Sequence, residues 1–110
     1  MIENLENRFE KTIIALGEVG ANYAKAKAQS WFMQETRKAL LAVEAGKYQG
    51  SEACKERLAR ASKAYKVHLE GTREAIHKEF KFKVEYDKLR NQFEAYRSLM
   101  SLEKAKMNLT

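Results

Sequence analysis

The sequence predicts an all-α fold, an antiparallel long-helix hairpin that dimerises into a coiled coil or four-helix bundle, on three observations. Proline is absent from the 110 residues, so the commonest helix breaker is missing. Two stretches carry large apolar residues at alternating steps of three and four, the heptad spacing of a helix packed along its length against another. Between them, Gly46, Gly50 and Ser51 concentrate the chemistry that ends one helix and starts the next. One helical domain over residues 1–110 is expected, with a helix at about 2–45, a turn at about 46–51 and a helix at about 52–107.

The first helix rests on Ile2, Leu5, Phe9, Ile13, Leu16, Val19, Tyr23 and Ala26, which step by threes and fours. Asn4 offers an N-cap that would leave Ile2 outside, so the first turn stays open. Gly17 and Gly20 each cost a helix interior about 1 kcal/mol relative to alanine. Their alignment with Ala21, Ala24 and Ala28 favours a small-residue stripe against which a partner backbone can approach closely. Trp31, Phe32, Met33, Leu40, Leu41 and Val43 form the densest bulky cluster of this half and are expected to supply much of the core.

The turn follows the order glycine, loop, N-cap and first-turn acid, through Gly46, Gly50, Ser51 and Glu52. The second helix is expected to bury Cys54, Leu58, Ala61, Tyr65, Leu69, Ile76 and Phe80, with Gly71-Thr72 as the one place that could interrupt it. It then runs into the most regular seam of the chain: Phe82, Tyr86, Leu89, Phe93, Tyr96, Met100 and Met107, a row that only Glu103 breaks. Phe80, Phe82, Val84 and Tyr86 also alternate with Lys81, Lys83 and Glu85, which is the period of a half-buried strand. The helix is preferred, because no second strand-like run exists to take a lone strand's hydrogen bonds.

Composition narrows the function classes. A single cysteine, Cys54, excludes an intramolecular disulfide and fits a cytoplasmic home. No hydrophobic signal run opens the chain, and no segment approaches a membrane span, so no membrane partner is expected. The net charge of +6 permits nucleic-acid contact without requiring it.

Candidate chemistry is sparse. Glu74 and His77 have the spacing that puts a carboxylate and an imidazole on one helix face, as in di-iron bundles; such a site needs a second pair and two further carboxylates, the other histidine, His68, has Tyr65 three residues before it, and only a symmetric dimer could supply the second copy. An ordinary surface pair is the reading preferred, with no metal and no cofactor. Cys54 would need a base and an orienting residue to act as a nucleophile. Gly17-Glu-Val-Gly20 has neither the strand before it nor the lysine after it that a phosphate loop needs. No catalytic residue is therefore assigned, and the chain is read as a non-enzyme.

Positive charge is the remaining signal. Residues 51–70 hold five basic and three acidic side chains. Arg57, Arg60, Lys63, Lys81 and Lys83 are the candidate nucleic-acid contacts, with Phe80 or Phe82 as stacking platforms. The competing reading, a solvated face laced with ion pairs such as those of Glu52 and Glu56 with Lys55 and Arg60, is preferred.

Near the C-terminus, Phe93, Arg97, Ser98, Leu99, Ser101, Lys104 and Met107 form the pattern F-x-x-x-R-S-L-x-S-x-x-K-x-x-M. This run resembles the C-terminal signature of small helical accessory proteins of tailed bacteriophages and prophages, which are often encoded near recombination or single-strand annealing genes. The likeness covers the last third of the chain. It implies a phage origin, a bacterial host cytoplasm and a small accessory role, and it carries over no catalytic residue.

A partner is also expected on physical grounds. Leu99 and Leu102 lie off the row of Tyr96 and Met100, and Leu69 and Ile76 lie off that of Tyr65, so the apolar surface exceeds one seam. A homodimer of two hairpins would cover it. The expected function is binding of a host or phage protein, as an inhibitor of a host nuclease or defence complex or an aid to phage recombination. The alternative is a basic nucleic-acid-binding accessory protein.

Overall fold

The computed structural model describes residues 2–109, all-α throughout, as three helices: α1 (Ile2–Ala45), α2 (Glu52–Arg60) and α3 (Lys63–Leu109). Residues 79–86, ambiguous by period, are helical and lie inside α3. The chain reverses at residues 46–51. Gly46 N–H still donates to Ala42 O, and Lys47 and Tyr48 donate to Glu44 O and Ala45 O, so the last turn of α1 tightens as it ends. The left-handed residue is Gly50, at φ +124°, rather than Gly46. Ser51 then caps α2, its Oγ accepting from Cys54 N–H at 3.2 Å, with Glu52 in the first turn.

The second helix, expected to be continuous from 52 to 107, is broken at Ala61-Ser62. The Ser62 hydroxyl donates to Ala59 O at 2.6 Å and accepts from Tyr65 N–H at 3.2 Å. One side chain thus closes α2 and opens α3, by the competition with main-chain bonding that makes serine a poor helix-interior residue. Gly71-Thr72 does not interrupt the helix. Met33 Cε lies 2.9 Å from where a Cβ on Gly71 would stand, so this glycine makes room for a side chain of α1. Thr72 is buried and returns its hydroxyl to His68 O at 2.9 Å.

Contacts cluster into two compact units. One comprises residues 1–24 and 81–110, the other residues 25–80. In each, α1 and α3 run antiparallel: Phe9 meets Phe93 and Tyr23 meets Tyr86 in the first unit, and Met33 meets His68 and Gly71 in the second.

The inward row of α1 is Leu5, Phe9, Thr12, Leu16, Val19 and Tyr23 in the first unit, then Ala26, Ser30, Met33, Leu40 and Glu44 in the second. Ile2, which headed the expected row, has its side chain outside the described residues. Ile13 points to solvent, and Thr12 holds its place. The heptad phase requires residue 12, and Thr12 can be buried because its hydroxyl donates to Arg8 O at 2.8 Å. The bulky cluster of the first half is not core: Trp31, Phe32 and Val43 are exposed, and Met33, Leu40 and Leu41 are half-buried. Leu58, Ala61, Ile76 and Phe80, expected inside, are exposed as well. Tyr65, His68, Thr72, Ala75 and Glu79 make the α3 row of the second unit.

Candidate functional site

The expected seam lies in the first unit. Phe82, Tyr86, Leu89, Phe93, Tyr96 and Met100 are half-buried on one face of α3, and Met107 is 60% exposed. The Phe9 and Phe93 rings stack at 4.9 Å between centroids and 26° between planes. Tyr23 and Tyr86 meet at 5.8 Å, and Arg90 stands 6.0 Å over the Tyr86 ring, at the outer limit of a cation–π contact. Gly20 abuts the same ring, since a Cβ there would lie 3.3 Å from Tyr86 Cε2. Gly17 has no such neighbour, and Ala21, Ala24 and Ala28 are exposed, so within the units the small-residue stripe faces solvent except at Gly20. Glu103 keeps the heptad phase, half-buried, with its carboxylate 3.7 Å from Lys106 Nζ.

The second unit has a different interior. Its buried positions are small or polar: Ala26, Ser30, Ala59, Thr72 and Ala75, with Tyr65 and Glu44 the large exceptions. Gln34 donates to Ser30 Oγ, and Lys47 donates to the Glu44 carboxylate at 2.8 Å, a hydrogen bond that raises the Lys47 pKa. Small buried residues let helices approach closely but remove little apolar area from water. The bulky apolar groups stand outside instead, Trp31 at 64% and Phe80 at 63% exposure, with Phe32, Val43, Val67 and Ile76 also in solvent. An open trough of about 790 Å³ runs between α1 and α3, lined by Met33, Leu40, Ala64, Val67, Gly71, His68 and Lys63.

The basic candidates divide between the units: Arg57, Arg60 and Lys63 lie in the second, Lys81 and Lys83 in the first, all exposed. Arg60 is already engaged with Glu56 at 2.8 Å, a hydrogen bond that raises its pKa. Arg57 Nη2 lies 4.0 Å from Cys54 Sγ. The second unit carries twelve basic against seven acidic side chains, whereas the first carries nine against eight. Nearly all the net positive charge therefore belongs to the second unit.

Glu74 and His77 are both exposed, and among the described residues no group of three or more His, Cys, Asp or Glu side chains is placed to hold a metal ion. No helix among these residues is long and apolar enough to cross a membrane. No protein-family model, curated protein or solved structure matches this chain. The trough is what sequence reasoning missed. The adjacency of Trp31, Phe32 and Met33 held the signal, because three consecutive residues of a helix span too wide an arc to share one seam.

Proposed function

We propose that this chain is a non-enzymatic helical accessory protein that acts by binding another protein. One observation carries the reading: the 25–80 unit buries alanine, serine and threonine while Trp31, Phe32, Val43, Val67 and Phe80 stay in solvent. Large apolar groups left in solvent beside an interior of small residues support an interaction surface, and Trp and Phe are enriched where partners bind. The C-terminal pattern from Phe93 to Met107 supports a phage-type role in a bacterial cytoplasm, with a host nuclease, a defence complex or the phage recombination machinery as partner. Self-association belongs to the same reading. Ile14, Gly17, Ala21 and Ala24 form an exposed row on the nearly neutral first unit, suited to the α1 of a second copy.

Quantitative affinity capture from phage-infected cells tests the reading, comparing the full chain with its Trp31→Asp/Val43→Asp variant. A protein held by the first and lost by the second is expected. Equal recovery of every protein on both, and on an unrelated helical hairpin, would overturn it. The excess of basic groups in the second unit favours nucleic-acid binding as the alternative, and its mark is DNA affinity that falls steeply with salt.

A further inference from the structure

We propose that the trough of the 25–80 unit is the docking site for an acidic amphipathic helix of the partner protein. This rests on the protein-binding reading above and specifies its chemistry. Two ridges bound the trough. On α1, Met33 and Leu40 are one heptad apart, and on α3, Ala64, Val67 and Gly71 follow steps of three and four. Helix positions 32, 36, 40 and 43 fall on one side of α1, which puts the exposed Phe32 and Val43 on the side of Leu40. Gly71 and Ala64 leave the floor low, and Met33, whose methyl lies over Gly71, is a side chain that repacks readily around a guest. Between residues 33 and 40 the α1 wall runs roughly 10 Å at 1.5 Å per residue, about two turns of a docked helix. Apolar groups at i, i+3 or i+4, and i+7 of a guest helix match such a groove.

Charge selects the occupant. The unit carries an excess of five positive charges, Lys63 lines the trough, and among the described residues Lys63 has no carboxylate within ion-pair distance. A carboxylate flanking a guest's apolar row would find Lys63, and the unit's net charge would speed encounter with an acidic guest at low salt. A second copy docking symmetrically would oppose two concave surfaces and two like charges. Nucleic acid would meet mostly aliphatic lining, with one lysine to take a phosphate.

The test uses the full chain and a library of 16-residue helix-forming peptides. Their apolar row is fixed at i, i+3, i+4 and i+7, and the remaining positions are drawn evenly from Glu, Lys, Gln and Ala. Enriched peptides are expected to be acidic, with affinity, read by fluorescence anisotropy, that falls as salt rises. Val67→Glu and Lys63→Glu should each weaken binding at least tenfold, while Ile76→Glu, outside the trough, leaves it unchanged. Because Val67, Lys63 and Ile76 are exposed, these variants keep the fold, which circular dichroism verifies. Neutral or basic winners, no enrichment, or Val67→Glu binding like wild type would each overturn the proposal. So would displacement of the peptide by a single-stranded oligonucleotide, or a dimeric wild type that Val67→Glu makes monomeric. If Val67→Glu still captures the partner that Trp31→Asp/Val43→Asp loses, the trough assignment fails while the protein-binding reading stands.

Discussion

His68 Nε2 donates a hydrogen bond to the main-chain carbonyl of Met33 at 2.9 Å, joining α3 to α1 through an acceptor that also lies 3.3 Å from Thr36 Oγ1. A carbonyl can only accept, so Nε2 carries a proton. The bond crosses an interior that has few large apolar contacts, and it fixes which turn of α3 faces which turn of α1.

His68→Leu should lower stability by about 1 kcal/mol, the typical worth of one such bond, and no more, because the Met33 carbonyl keeps its other donors. His68→Gln retains a donor and should recover part of the loss. Urea titrations of the three proteins check this, and equal midpoints for all three would show that the bond contributes nothing.

The aromatic pair of the first unit invites a coupled test. Phe93→Asp should destabilise the protein by roughly 2–3 kcal/mol, since it removes a stacked ring and puts an unpartnered charge in its place. Glu94→Ala, on an exposed face, should shift the melting midpoint little. A double-mutant cycle of Phe9→Ala and Phe93→Ala should give a coupling of about 1 kcal/mol. Additive losses would mean that the 4.9 Å stack has no specific energy.

Glycine substitutions should separate by position. At Gly17 an added Cβ meets nothing within 4 Å, so Gly17→Ala should stabilise by roughly 0.5–1 kcal/mol through helix propensity. Gly20→Ala must displace the Tyr86 ring from a 3.3 Å approach, which offsets that gain. Gly50→Ala forces a side chain into φ +124° and should destabilise by about 1–2 kcal/mol. Thermal midpoints in the order Gly17→Ala, Gly20→Ala, Gly50→Ala are expected; a reversed order would contradict the backbone described above.

These cases show what the sequence made legible. The heptad phase of α3 from Phe82 to Met100 was readable because each position is large and apolar, so the period survives without knowledge of the partner helix. Thr12 was hidden because a polar letter was passed over for its neighbour Ile13, although a hydroxyl that bonds its own helix can lie inside. Ser62 was hidden for the converse reason: glycine is the stronger breaker by letter, yet a serine that bonds two helix ends interrupts the helix where a glycine held under Met33 does not. The trough was legible only in part: Trp31, Phe32 and Met33 cannot share one seam, but which of them turns inward depends on the small residues that α1 and α3 bury at 26, 30, 72 and 75.

The charge alternative has a graded test. If nucleic acid binds, replacing Arg57, Arg60 and Lys63 by glutamine should weaken single-stranded DNA binding for every sequence and flatten its salt dependence. Lys63→Gln alone should account for more of the change than Arg60→Gln, because the Arg60 guanidinium is already bonded to Glu56 at 2.8 Å. No retardation of single- or double-stranded DNA by the wild type at low salt would remove this reading.

Self-association turns on the exposed row of the first unit. Ala21 lies in solvent between Gly17 and Ala24, so an arginine there disturbs no contact within the chain and should leave the melting of a monomer unchanged. Against a second α1, however, the small residues would set a close backbone approach, and an arginine would stand where there is no room. Light scattering should therefore find twice the chain mass for wild type and one chain mass for Ala21→Arg, with the dimer's concentration-dependent melting lost in the variant. Ala105→Arg, on α3 and equally exposed, serves as the control that added charge alone does not dissociate the assembly. A wild type of single-chain mass at high micromolar concentration, or an Ala21→Arg protein that remains dimeric, would rule out this row as the surface between copies.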